Sequence, residues 1–393
     1  MSRLNIYFII LLFLSTACSK SEEIEIPEKI SEYENVSVFP ADSEPQYTIT
    51  LDRQTVYGDT EDILLGSRLS VTVDNRNRVY IADNQEIVLH LYNPDGTYNR
   101  QIGQEGEGPG EYRRIGNMQA GSSYFHLMDR NLTKITRYNL DTFEVEGDIS
   151  LTVDRGETDG YFQYPQGFYL LSDSTYLLQI GTGFTAGDAE EDTDRTIEGR
   201  ILNVKTEKTG DSAIVSFPSA EALIHREENS MMVMSVPYNR KSVISVQDGE
   251  IIYGWSQDFL LKVYDQNGRY QRAIYYPYEN VSLDRNQVLE LYSDHEEQWQ
   301  DMVRRDDMPE SWPVFESFTV DDEGRIWVEK LTENRDESEF VVLENSGELL
   351  ATFNWPSNKE VMEIKNGFLY TLETNEETGL REVVKYGITF ENR

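Results

Sequence analysis

Cysteine is all but missing. The 393 residues hold one, Cys18, so no disulfide can form within the chain and cysteine counting says nothing about redox compartment. Histidine is scarce as well. His90, His126, His225 and His295 stand far apart, which leaves a histidine-rich zinc or copper site without its ligands. "HEEQW" at 295–299 lacks the second histidine of a zinc-protease helix. No Gly-x-Ser-x-Gly occurs, so a serine–histidine triad has no local support. Basic residues are few, 35 against 71 acidic, for a net charge of −36. That field repels nucleic-acid phosphates and anionic headgroups and excludes both as partners; it reads as solubility. Aromatic residues are plentiful instead: 24 Tyr, 16 Phe and 5 Trp. Each ring can bury about 150–250 Å², enough for a sizeable core.

Repeats organise the chain. "VTVDNRNRVYIAD" (Val71–Asp83) aligns with "FTVDDEGRIWVEK" (Phe318–Lys330), pairing Asp74 with Asp321, Arg78 with Arg325 and Tyr80 with Trp327. "LYNPDGTYNRQI" (Leu91–Ile102) aligns with "VYDQNGRYQRAI" (Val263–Ile274) and "VLENSGELLATF" (Val342–Phe353), with Gly96, Gly268 and Gly347 at one turn position. Each unit is two short alternating strands around an Asx/Gly turn, a β-hairpin. Two hairpins make a four-stranded antiparallel blade, and six blades are counted, starting near Arg68, Asn117, Gln163, Asn239, Glu316 and Glu360. The fold expected is all-β, a six-bladed propeller over residues 46–393. Two insertions lengthen it: the acidic loop Gly183–Gly199 and a helical segment at about 283–313. The last blade lacks an outer strand, which "QYTITLDRQTV" (Gln46–Val56) can supply from the N-terminal side, closing the ring and hiding its edges.

"IGQEGEGPGEY" (Ile102–Tyr112) invites a phosphate-loop reading and fails it. No Gly-Lys-Ser/Thr follows, strand pattern rather than helix comes next, and Glu105, Glu107 and Glu111 occupy the place of phosphate. The glycines serve a turn between blades one and two. Blade-to-blade loops and second-to-third-strand loops share one propeller face, so Arg113 and Arg114 fall beside the channel mouth. Inner-strand starts add Arg68, Asn117, Gln163, Asn239, Arg240 and Glu316 as candidate ligand-face residues. Asn117, Asn239 and Glu316 are oxygen ligands of the kind calcium takes, although the neighbouring arginines oppose a cation; otherwise no metal or cofactor is expected. "DAEEDTD" lacks the glycine and closing glutamate of an EF-hand and reads as a solvated loop. In the 283–313 insertion, Asp284 with Gln287 suggests a capping box, and Val288, Leu291, Tyr292, His295, Trp299, Met302 and Val303 follow helical spacing. It is expected as one helix, either a lid over the channel or an ornament on the rim. "YFQYPQGFY" (Tyr161–Tyr169) and "YYPY" (Tyr275–Tyr278) offer rings for stacking on a glycan or for filling space between blades.

The N-terminal stretch carries an address. Arg3, the apolar run Ile6–Leu14 and a small-residue exit make a secretory signal over residues 1–17, since the run is too short to span a bilayer, which takes about 20 residues. "LSTAC" resembles a bacterial lipobox, with Leu14 one position further from the cysteine than usual; lipidation at Cys18 is implied. Residues 18–45, polar and acidic, read as a flexible tether. The acidic stretch behind the cysteine resembles the surface-export signals of some lipoproteins.

With its "GEGPGEY" loop and "VTVD…RVYIAD" strands, the chain resembles the six-bladed β-propeller family of bacterial lipoproteins, relatives of NHL-repeat proteins, over residues 46–393. The resemblance implies the fold and leaves the activity open. The expectation is a monomeric, non-enzymatic propeller, held by a lipid anchor alone in the outer membrane's periplasmic or surface leaflet. It would bind a protein or glycan ligand on its channel-mouth face. The alternatives are a calcium-dependent, lactonase-like hydrolase and a structural scaffold of an envelope assembly.

Overall fold

The computed structural model describes residues 24, 26–58, 63–151, 163–183, 195–227 and 230–393. The leader, Cys18 and most of the acidic loop at 183–199 lie outside them. Six antiparallel sheets surround a channel of about 360 Å³ whose wall takes residues from all six inner strands. Those strands begin at Leu69, Ile115, Gln163, Ser242, Phe315 and Glu360, within three residues of the starts read from the sequence. Blade one is representative: Leu69–Val73, Val79–Asp83, Val88–Tyr92 and Tyr98–Ile102, each paired with the next. Blade six closes the ring as expected. Tyr47–Tyr57 runs antiparallel to Arg381–Asn392, with Tyr47 opposite Asn392 and Tyr57 opposite Val383.

The repeated aspartates explain the first turn of the blades that carry them. Asp74 Oδ1 accepts the backbone N–H groups of Arg76 and Arg78 at 2.8 and 3.0 Å, while Oδ2 accepts Arg78 Nε at 2.6 Å and Tyr80 Oη at 3.1 Å. Asp321 repeats the set with Glu323, Arg325 and the Trp327 indole N–H at 2.8 Å. A buried carboxylate is tolerated here because every lone-pair direction finds a donor.

The core lies between blades. Each of the six interfaces has its own apolar cluster and an aromatic contact across it. Tyr80 stacks on Phe125 at 4.2 Å, Phe217 on Tyr253 at 3.9 Å, and His126 meets Tyr176, Phe259 meets Phe315, Trp327 meets Phe390 and Tyr57 meets Tyr92 edge-on. Burying one such side chain stabilises by about 1.5–3 kcal/mol, and the pairing geometry adds up to about 1.5 kcal/mol. The described residues of the two tyrosine-rich stretches serve this packing, and Tyr161 and Phe162 lie outside them. Phe168 and Tyr276 are fully buried, and Tyr276 stacks between Phe39 and Tyr278. Tyr169 donates its hydroxyl to the Ile244 carbonyl at 2.6 Å.

Three features differ from the sequence reading. The 18–45 segment is docked from residue 28 onward: Glu28–Ser31 forms a helical turn that buries Ile30, and Val36–Val38 adds a fifth, parallel strand to blade four beside Tyr270–Tyr275. Apolar Ile30, Val36, Val38 and Phe39, spaced among the acidic residues, pack on an outer edge whose backbone groups need partners. The 283–313 insertion is two helices, Arg285–Leu291 and Glu297–Arg305. Asp284 caps the first by accepting from Asn286 N at 2.8 Å. The break falls in "YSDHE", where Gln300 donates to the carbonyls of Ser293 and His295 at 2.9 and 2.8 Å and so satisfies groups a helix would otherwise bond. A third insertion, the hairpin Leu223–Glu227 with Ser230–Met234, precedes blade four.

Candidate functional site

Blades one and two end their second strands on an aspartate, Asp83 and Asp129, and both are fully buried. Each carboxylate does two jobs. Asp83 Oδ1 accepts the N–H groups of Gln85 and Glu86 in the loop it opens, at 2.8 and 3.2 Å, while Oδ2 takes Gly66 N at 2.7 Å from the segment entering the inner strand. Asp129 Oδ1 accepts Asn131 N and Leu132 N, each at 2.8 Å; Oδ2 accepts Arg113 N at 2.6 Å and Arg114 N at 3.3 Å. Blade four uses Ser256, whose hydroxyl accepts Lys241 N at 3.0 Å. The backbone carrying Arg113 and Arg114 is thus fixed from below, and that approaching Arg68 likewise.

The glycine-rich stretch is the turn the sequence predicted. Gln104–Glu105 pairs in parallel with Glu111–Tyr112, and the Glu111 carboxylate accepts Glu107 N and Gly108 N at 3.1 and 2.9 Å. Those bonds, led by Gly108, hold the Glu111 carboxyl below its usual range. Gly103 has φ +69°, and a Cβ there would meet the Tyr112 ring at 2.5 Å, so only glycine fits.

Above these supports lies a cavity of about 790 Å³ on the channel-mouth face, spanning blades six, one and two. Arg68, Arg113 and Arg114 line it together, and Arg130 and Arg381 join them. Arg113 pairs with Glu107. Among the described residues, Arg68, Arg114 and Arg130 make no ion pair and no side-chain hydrogen bond. Arg381 donates Nη1 to Thr374 Oγ1 at 3.1 Å, yet its Nε is buried with no acceptor. Glu360 is the wall's one described carboxylate, and no histidine, lysine or cysteine joins it.

The other predicted residues do not line this cavity. Asn117 Oδ1 accepts Phe168 N at 2.9 Å, binding the inner strands of blades two and three. Gln163 accepts from Arg200 Nη2 at 3.2 Å. Asn239 donates to the Glu221 carbonyl at 2.9 Å, and Glu316 pairs with Lys241. The structure therefore does not gather the proposed calcium set of Asn117, Asn239 and Glu316 in this cavity, and among the described residues no three acidic, histidine or cysteine groups cluster as metal ligands. Arg240 is a correction. It is buried and clamps three segments, donating to Gln257 Oε1 at 2.6 Å, the Tyr238 carbonyl at 2.6 Å and the Ser311 carbonyl at 2.9 Å. Its donors are spent on the fold, so it is no ligand-face group. The insertion that it grips does not line the cavity. Its helices bury Val288, Tyr292 and Val303 against Val236, Tyr238 and Leu331 on the rim. Arg130 and Arg381 enter from second-to-third-strand turns, which the sequence places on this face without singling out their residues. The repeated strand-end aspartate of "VYIAD" and "FHLMD" was the available signal.

The six-blade ring is matched by a family model. The model described as a 6-bladed beta-propeller, DUF5128, aligns with residues 57–259, just over half of the chain. The chain belongs to this family. This 6-bladed propeller is also similar to solved structures. A member of the DUF4221 family from Bacteroides vulgatus superposes with a TM-score of 0.54 at 14% identity, covering 88% of this chain and all of its own. A candidate exported protein of Bacteroides fragilis gives 0.49 at 12%, covering 90% and 99%. The calcium-binding protein regucalcin from Agrobacterium tumefaciens gives 0.41 at 12%, covering 91% and 97%. At such identities the likeness is one of fold alone. A search of curated proteins gives no match.

Proposed function

We propose that this propeller is a lipid-anchored binding protein of the bacterial cell envelope, non-enzymatic, which takes its ligand on the channel-mouth face. One observation carries the binding reading: five arginines from three adjacent blades converge on one cavity, two of them on backbone fixed by a buried aspartate. Gathering like charges costs stability unless something of opposite charge is bound. Among its described residues the wall has one carboxylate, Glu360, and no histidine, lysine or cysteine, and the hydroxyls of Ser67 and Ser70 bond to Gln85 and Asn84 rather than to that carboxylate; no activated nucleophile stands among them, which supports binding over hydrolysis. The anchor rests on the "LSTAC" segment ahead of a docked strand.

Two experiments test this. Wild-type protein and the variant Arg68→Ala/Arg113→Ala/Arg114→Ala are incubated with an envelope extract, and retained molecules are identified by mass spectrometry. A species held by wild type and lost from the variant is expected; identical retained sets would remove this cavity as the site. Labelled palmitate should enter wild type and not Cys18→Ser, and equal labelling would remove the anchor.

A further inference from the structure

We infer that the cavity's ligand is a small organic anion bearing two or more oxyanionic groups, carboxylate, sulfate or phosphate; this rests on the binding reading above. The unmet donors point to it. Arg68, Arg114 and Arg130 have no ion-pair partner among the described residues, Arg113 has only the exposed Glu107, and Arg381 keeps a buried Nε–H without an acceptor. Guanidinium groups present paired donors that match the two oxygens of a carboxylate, sulfate or phosphate. Against five such groups the described residues of the wall set one carboxylate, Glu360. The molecule as a whole carries −36, so the cavity reverses the sign of its surroundings. A short anion reaches it; a long polyanion would have to lie across an acidic surface.

Size and lining narrow the class. A volume near 790 Å³ sits within the roughly 300–1,000 Å³ of small-molecule sites, so a single inorganic oxyanion would leave most of the space to water. Among the described residues no aromatic ring lines the cavity, whereas Leu69, Ile87, Ile115 and Leu372 do. That floor suits an aliphatic skeleton and gives a neutral sugar or flat ring no stacking platform. Because the arginines come from three blades, one charged group cannot meet them all, and a ligand with two or more can bridge them.

The probes are citrate, fructose 1,6-bisphosphate and sucrose octasulfate, representing the three oxyanions, with sucrose and spermine as neutral and cationic controls. Binding is measured by calorimetry to the purified full chain at 50 and 500 mM salt. At least one anion should bind, weaken by about tenfold or more in Arg114→Ala/Arg130→Ala, and weaken further at high salt; the controls should not bind. Circular dichroism and a separate Arg68→Ala variant guard against misfolding, since both should leave the spectrum unchanged. Failure of all three anions overturns the inference. If sucrose or spermine binds instead and the variant loses it, the chemical class is wrong while the site stands. Anion binding that the variants leave untouched would place the site elsewhere and overturn both readings.

Discussion

Asp129 shows how a single side chain can set a site it never enters. Four backbone N–H groups converge on its two oxygens, and each donor left unsatisfied in a buried place costs about 1–3 kcal/mol. Asp129→Ala should therefore lower the melting temperature by roughly 5 °C or more and weaken anion binding as well. Arg114→Ala should weaken binding alone. Parallel melting curves and titrations separate the two, and a thermally silent Asp129→Ala would refute the positioning role. A pH test also belongs here. Burial, helped by Arg137, pushes the His126 pKa down to about 3, and burial pushes Glu363 up to about 7. Below pH 6.5 the unfolded chain gains a proton that folded His126 refuses, so its contribution falls with falling pH. Glu363 works the other way: its contribution is full below about 4.5 and is lost as pH rises through 7. Relative to wild type, Glu363→Gln should forgo about 2 kcal/mol of stability gained between pH 7 and 5, and His126→Phe should be spared a loss of similar size. Urea unfolding at the two pH values reads both; slopes of the same sign would contradict the assignment. At this scale the sequence was half legible. Arg68, Arg113 and Arg114 follow from strand direction, because a loop's face is fixed by topology. Arg240 misled because it stands just ahead of an inner strand, and nothing local announces that its donors will be taken by Gln257, Tyr238 and Ser311.

Among the elements, hairpin turns were the easiest to read, since Asp74 and Asp321 write the same hydrogen bonds into the same spacing. The insertions were harder. A helical period marks residues 285–305, but the period cannot show that Gln300 will tie off the backbone at Ser293, nor which surface the apolar face will meet. That surface is the rim, where Tyr238, Val236 and Leu331 lie nearly or fully buried beneath the helices. Replacing residues 283–313 by a short linker should uncover them and remove roughly 5 kcal/mol, seen as aggregation or a melting temperature lower by about 10 °C. Citrate affinity of the folded fraction should not change. An unaltered melt would mean the helices contribute nothing to the core, and altered affinity would restore them as a lid.

Across the whole molecule, charge is sorted along the channel. The arginine mouth opposes a second mouth where Asp173, Asp248 and Asp322 sit on first-to-second-strand turns beside Lys365. The ring that separates them is closed by strands from opposite ends of the chain. A permuted chain running from residue 58 to 393 and on through a long flexible linker into residues 28–57 keeps every pairing of blade six and the parallel strand on blade four, and should melt within a few degrees of wild type. Deleting 47–57 outright strips the partner from Arg381–Asn392 and should leave an aggregating protein. Light scattering and calorimetry distinguish the cases, and a stable, monomeric deletion would show that closure is dispensable. The same join fixes an order of events during synthesis. The strand Tyr47–Tyr57 waits for Arg381–Asn392, so the ring can shut only after residue 392 has been made. Until then blade six lacks its outer strand, and every earlier blade is held in a ring that is still open.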